Sequence, residues 1–290
     1  MIAFPVTPFA PDLSLDLGGL RQNIRRLLRY PICGIVAAGG TGELYSLSPA
    51  EHAEVVRAVV EEAAGQVPVF AGAGFNCAIA TELAKQSARL GAGAVLAFPP
   101  YFPNADEEAL ADYYATIGAA TALPLFVYSR DWVNPSPAWV EKLALRVPTL
   151  LGWKDGQGDL RRYQQIIDRL GDRLHWIGGV GDDAVPGYYS IGIRVYTSSI
   201  ANVAPKLSLE LHEAAAGDSV ALGRLMREFV IPLYALRSRR KGYEVSVMKE
   251  MMNLAGLPAG PVRPPLPHLR AEDAAALRAM MERWRPEIGS

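Results

Sequence analysis

Cysteine is nearly absent from this chain: only Cys33 and Cys77 occur among 290 residues. Two cysteines cannot build a disulfide framework, and both read as small buried residues of a reducing compartment. An excess of either charge is also missing. Lys plus Arg is 29 and Asp plus Glu is 30, a net charge of -1. That excludes the basic surface of a general nucleic-acid binder. No apolar run approaches the roughly 20 residues of a membrane span. The opening MIAFPVTPFAPD has no basic n-region and three prolines by residue 11, so it does not read as a signal peptide. The four histidines (His52, His175, His212 and His268) are scattered and offer no metal-ligand spacing. No GxGxxG and no GxxxxGK[ST] is present. The expectation is a cytoplasmic enzyme without a metal, an organic cofactor, a nucleic acid or a membrane as partner.

What is present is compositionally ordinary: 50% apolar and 20% charged residues, as in a compact globular protein. A length of 290 suits one large α/β domain. Eight short apolar runs recur, at residues 2–7, 34–39, 67–74, 94–99, 123–129, 149–155, 174–180 and 194–199. Each is nearly continuously apolar, as strands covered on both faces of a parallel sheet are. Amphipathic stretches separate them. Residues 48–65 predict a helix opened by Ser48 as N-cap, Pro49 at the first turn and Glu51 three residues after the cap, and stopped at Gly65. Alternating strands and helices imply right-handed crossovers, and eight strands imply closure into a (β/α)8 TIM barrel. Beyond Asn202 the strand pattern stops. Residues 206–219, 220–236, 244–256 and 271–285 read as helices, with proline-rich PVRPPLPH (261–268) before the last. The division is a barrel over residues 1–206 carrying the active site and a C-terminal helical domain over 207–290.

In such a barrel the chemistry sits at the C-terminal ends of the strands. That selects Thr7, the Gly39-Gly40-Thr41-Gly42-Glu43 loop, Tyr101, Tyr128-Ser129-Arg130, Lys154-Asp155, Gly181-Asp182-Asp183 and Thr197-Ser198-Ser199. Lys154 ends the apolar run LLGWK, where its side chain would enter the barrel mouth. A buried amine is costly unless it is paired or gives up its proton, and the neutral form is what attacks a carbonyl. The other reading is a strand-end lysine whose tip reaches solvent or pairs with Asp155. Tyr128, ending the preceding strand, is either a proton shuttle beside Lys154 or a packed tyrosine. The glycine-rich loop is either a carboxylate cradle made of backbone N–H groups and the Thr41 hydroxyl, or a plain turn. Ser198 and Ser199 are donors or barrel filling. Arg130 has the geometry for a carboxylate. The basic cluster from Arg237 to Lys241 reads as a solvated helix end or as a guide for an anionic substrate.

Taken together, FPVTPF (4–9), GGTGELYSLS (39–48), PPY (99–101), Tyr128, WKD (153–155), GDD (181–183) and the Ser198…Asn202…Pro205 stretch resemble the dihydrodipicolinate synthase/N-acetylneuraminate lyase family over essentially the whole chain. The resemblance implies a (β/α)8 barrel with C-terminal helices, usually a homotetramer. It also implies a Schiff-base lysine at Lys154, an active-site tyrosine at Tyr128 and a carboxylate-binding loop at Gly40, Thr41 and Gly42. Departures from the lysine-pathway synthase are Gly40 in place of the first of two threonines, Phe102 in place of a second tyrosine, and no counterpart to its carboxylate-binding arginine. GGTGE (39–43), KDGQGD (154–159), RRKGYEVSV (239–247) and GPVRPPL (260–266) are instead similar to the 5-dehydro-4-deoxyglucarate dehydratase subfamily. That narrower resemblance implies loss of water and CO2 from a dicarboxylate sugar acid, giving 2,5-dioxopentanoate, with Ser198 as a substrate contact; Arg130 is a further candidate contact by its geometry alone. The alternatives are a 2-keto-3-deoxy sugar-acid aldolase of the same family and a catalytically silent barrel that senses sugar acids.

Overall fold

Residues 1–288 are described by a computed structural model, in which the eight expected strands are all present. They are β1 (Ile2–Ala3), β2 (Gly34–Ala37), β3 (Val69–Phe75), β4 (Ala94–Pro100), β5 (Leu125–Ser129), β6 (Leu150–Asp155), β7 (His175–Gly178) and β8 (Thr197–Ser198). All pair in parallel in the order β7-β6-β5-β4-β3-β2-β1-β8. One parallel bridge, Gly178 to Tyr196, joins the two ends and closes the barrel. β1 is shorter than the run 2–7 because Pro5 has no N–H for the ladder. β8 is cut short by a 3-10 turn at Ile200–Asn202.

The barrel helices are α1 (Leu17–Leu27), α2 (Pro49–Ala63), α3 (Cys77–Arg89), α4 (Glu107–Ala119), α5 (Pro137–Arg146), α6 (Leu160–Leu170), α7 (Val185–Ser190) and α8 (Pro205–Gly217). The first six open on a side-chain cap: Asp16, Ser48, Asn76, Asp106, Ser136 and Asp159 each accept from an N–H of the first turn. Ser48 and Glu51 form the full capping box read from the sequence. Ala64 and Gly65 follow α2 in left-handed backbone and end it.

After the barrel come α9 (Ser219–Leu225), a π-helical turn at Met226–Val230, α10 (Ile231–Arg237), α11 (Tyr243–Leu254) and α12 (Ala271–Ile288). The π turn lies just before Pro232, which cannot donate to an α-helical ladder. α8 runs through position 206 and packs on α7, so the sequence division at 206/207 falls inside a helix. The final two positions of the 207–290 segment lie outside the described residues. Both cysteines are exposed, contrary to the expectation of burial. Cys33 lies in the turn before β2, and Cys77 is the first residue of α3 behind the Asn76 cap. Among the described residues no helix is long and apolar enough to cross a membrane.

Candidate active site

A cavity of about 260 Å³ opens at the C-terminal mouth of the barrel. Lys154 rises into it from β6 and is only 2% exposed. The β5–β6 register sets Tyr128 directly beside Lys154. The lysine Nζ lies 3.2 Å from the Tyr128 ring centroid and 5.2 Å from that of Phe4. It donates to the Gly179 carbonyl at 2.8 Å.

The pairing with Asp155 that the sequence left open does not form. The Asp155 carboxylate accepts from the N–H groups of Gln157 and Gly158 and from the Tyr188 hydroxyl, at 2.7 to 3.1 Å. Among the described residues Lys154 makes no ion pair. Burial, reinforced by the charge of Arg130, therefore holds its pKa well below that of a free lysine, against a weaker opposing pull from Asp155. The shift favours the neutral form of the amine.

Tyr128 is held edge-on against Phe98 and hydrogen-bonds weakly to the Gly179 carbonyl at 3.4 Å. Burial raises its pKa, so the phenol keeps its proton. Gly179 serves both residues. A Cβ there would come within 2.6 Å of Lys154 Nζ and 2.3 Å of the Asp155 carbonyl oxygen.

The loop after β2 brings Gly40 and Thr41 to the cavity wall. Gly42 lies behind them, its carbonyl accepting from Thr7 Oγ1 at 2.7 Å, so it supports the loop without facing the cavity. The loop ends at Glu43 in left-handed backbone, φ 55°. Its carboxylate is fully buried against Lys249 Nζ of α11 at 2.6 Å and accepts from the Arg263 backbone N–H at 3.0 Å. Burial pushes Lys249 down to about 8, even with Glu43 opposing the shift. Arg130 reaches across the mouth until its Nη1 is 3.4 Å from where a Gly40 side chain would begin. Its Nε is paired with Asp131 at 2.8 Å.

Ser198 is a correction. Its hydroxyl is completely buried, donating to Asp182 and accepting from the Ser208 hydroxyl of α8 at 2.8 Å. Side chains alternate along a strand, so Thr197 and Ser199 face the cavity and Ser198 faces the helices. Tyr101 is 87% exposed and lies away from the cavity. Asp182 is a buried hub: it accepts from Ser198 and from the Tyr234 hydroxyl at 3.0 Å, and burial raises its pKa.

Several cavity residues that the sequence did not single out come from beyond the barrel. Tyr234 and Arg237 of α10 and Glu244 and Val245 of α11 form one side of the cavity. Arg237 was visible only as part of a basic cluster, and nothing in the pattern turned it inward.

The family model for the dihydrodipicolinate synthetase family matches residues 1–283. The chain belongs to that family. Among curated relatives, the probable 5-dehydro-4-deoxyglucarate dehydratase of Bradyrhizobium diazoefficiens is 38% identical over 287 residues, covering 98% of this chain and 91% of the relative. The protein of the same name from Methylobacterium radiotolerans is 41% identical over 285 residues, covering 97% and 93%. Among solved structures, dihydrodipicolinate synthase from Bacillus clausii superposes with a TM-score of 0.92 at 29% identity, covering 98% of this chain and 97% of that one. In this member of the dihydrodipicolinate synthetase family, the four segments of the narrower resemblance meet at one place. Gly40, Thr41, Lys154, Gly156, Glu244 and Val245 line the cavity, and Arg263 fastens the loop at Glu43.

Proposed function

We propose that this protein is a decarboxylating dehydratase that converts 5-dehydro-4-deoxyglucarate to 2,5-dioxopentanoate, water and CO2 through a Schiff base on Lys154. The observation that carries the reading is a buried lysine without a carboxylate partner, in contact with a protonated tyrosine, in a cavity also lined by arginine.

Neutral Lys154 attacks the substrate ketone, and Tyr128 gives its proton to the departing carbinolamine oxygen as water leaves. The phenolate so formed faces the iminium cation. It takes a proton from the adjacent methylene, giving an enamine. The enamine expels the β-hydroxyl, which leaves as water with a proton returned by Tyr128. The conjugated iminium then accepts the electron pair of the breaking bond to the distal carboxylate, and CO2 departs. What remains is an enol that tautomerises to the aldehyde. Water hydrolyses the imine and frees Lys154. Gly40 and Thr41 hold the keto-acid carboxylate, with Arg130 above them, and fix the reacting geometry.

The test is CO2 release from 5-dehydro-4-deoxyglucarate by the purified protein, with borohydride trapping read by mass spectrometry. Stoichiometric CO2 and an adduct on Lys154 are expected. Pyruvate from a keto-deoxy sugar acid without CO2 would replace this reading with an aldolase. Ligand binding without an adduct or turnover would make the barrel a sensor.

A further inference from the structure

Among the described residues, the arginine that the basic cluster sends inward has no carboxylate within ion-pair distance. Arg237 ends α10 on the rim above β7 and β8. Its Nη1 donates to Ser199 Oγ at 3.0 Å, and its guanidinium stacks 4.4 Å from the Tyr234 ring centroid. Its Nε is buried with no hydrogen-bond partner. Asp182 and Asp183 feel its charge, yet among the described residues it forms no ion pair. Arg130, in contrast, is already engaged by Asp131 and lies over Gly40. The cavity thus has an occupied cation at the Gly40–Thr41 side and an unoccupied one on the rim above β7 and β8, with the Lys154 amine in the same cavity.

We infer that Arg237, assisted by the Ser199 hydroxyl, binds the second carboxylate of the substrate and makes the site selective for dicarboxylic over monocarboxylic keto acids. A guanidinium fixed by stacking and one hydrogen bond keeps its remaining N–H donors for an anion. The ring of Tyr234 and the Ser199 contact hold it oriented before substrate arrives, which lowers the ordering cost of binding. This assignment deepens the proposed function and shares its cavity, but it concerns binding and not the covalent step.

The test compares 2-oxoadipate with 2-oxohexanoate, which has the same chain length and lacks the far carboxylate. Affinity is read by titration calorimetry and Schiff-base formation separately by borohydride trapping. The wild-type protein is expected to prefer 2-oxoadipate by about 30-fold, the scale of a charge-assisted contact. Arg237→Gln should remove most of that preference through weaker 2-oxoadipate binding, leaving 2-oxohexanoate unchanged. Arg237→Lys keeps the charge but loses the fork, so it should retain part of the preference; it also serves if the glutamine variant does not fold. Equal weakening of both ligands would mean a structural role through Asp182 and would overturn the inference. So would an unchanged preference. Absence of an adduct in the wild type would refute the Schiff-base reading alone, because the calorimetric comparison still decides the role of Arg237.

Discussion

The side-chain nitrogen of Lys154 rests 3.2 Å from the centre of the Tyr128 ring, and both groups share the Gly179 carbonyl as hydrogen-bond acceptor. The proposed nucleophile and the proposed proton carrier are thereby tied to one peptide oxygen.

Gly179 is a position where a single methyl group would strike Lys154 directly. A Cβ would lie 2.4 Å from Lys154 Cγ and 2.3 Å from the Asp155 backbone oxygen, inside any tolerable contact. Gly179→Ala should lower kcat at least about 100-fold by displacing Lys154, as misplacement of a reacting group does. Circular dichroism would verify the fold, and a wild-type kcat would show that the close approach is dispensable.

Lys154 burdens the fold that carries it. Its pKa falls on folding from the ordinary 10.5, so between its folded value and 10.5 the unfolded chain binds the extra proton. Stability then rises with pH through that window. Lys154→Met should abolish turnover and raise Tm at pH 7 by about 2 °C or more. The gap should narrow as pH approaches 10, since the other titrating groups are common to both proteins. A gap that widens with pH would contradict the sign.

Tyr128 is assigned as a neutral donor because burial raises its pKa. Tyr128→Phe should reduce kcat by about 100-fold with little change in KM. In the wild type, kcat should show no rise across pH 6–9 of the kind that ionisation of a resting phenolate base would give. A pH–rate profile with such a limb, lost in the phenylalanine variant, would reverse the assignment.

Glu43 and Lys249 predict an unequal pair of effects. Lys249→Met strands a buried carboxylate and should cost about 3–5 kcal/mol in denaturant unfolding. Adding Glu43→Gln should restore most of that loss, because the uncompensated charge is gone. The single variant should also lose kcat/KM, since Glu43 anchors the Gly40–Thr41 loop. Equal destabilisation in the single and double variants would show that packing, not charge, dominates there.

Much of this was written in the order of residues. A lysine closing an apolar run marks its own anomaly, and Tyr128 one strand earlier must come near it once parallel strands are placed in register. Ser48, Pro49 and Glu51 announced α2 for the same local reason. Ser198 was expected in the site through the resemblance, whereas the residues alone left it level with Ser199; which of two adjacent serines faces the cavity depends on the direction of β8, and composition does not show that. Pro5 shortened β1 by withholding an N–H that hydropathy does not count. Tyr234 was not singled out, and Arg237 was read only within a basic cluster, because their inward direction depends on how α10 lies across the mouth, and no periodicity within α10 encodes that.

The Glu43–Lys249 lock has a consequence for how new specificities arise. The lysine and tyrosine belong to the strands, whereas the wall formed by α10 and α11 belongs to the tail of the chain. A graft of another relative's tail could therefore retune which molecule is accepted while the reacting groups stay untouched. Such a graft would have to carry a base to meet Glu43, or the recipient would be left with an orphan charge under its own substrate loop. Inheritance of the tail and of one acidic residue near the beginning are tied together, though some two hundred positions separate them (Glu43 and Lys249).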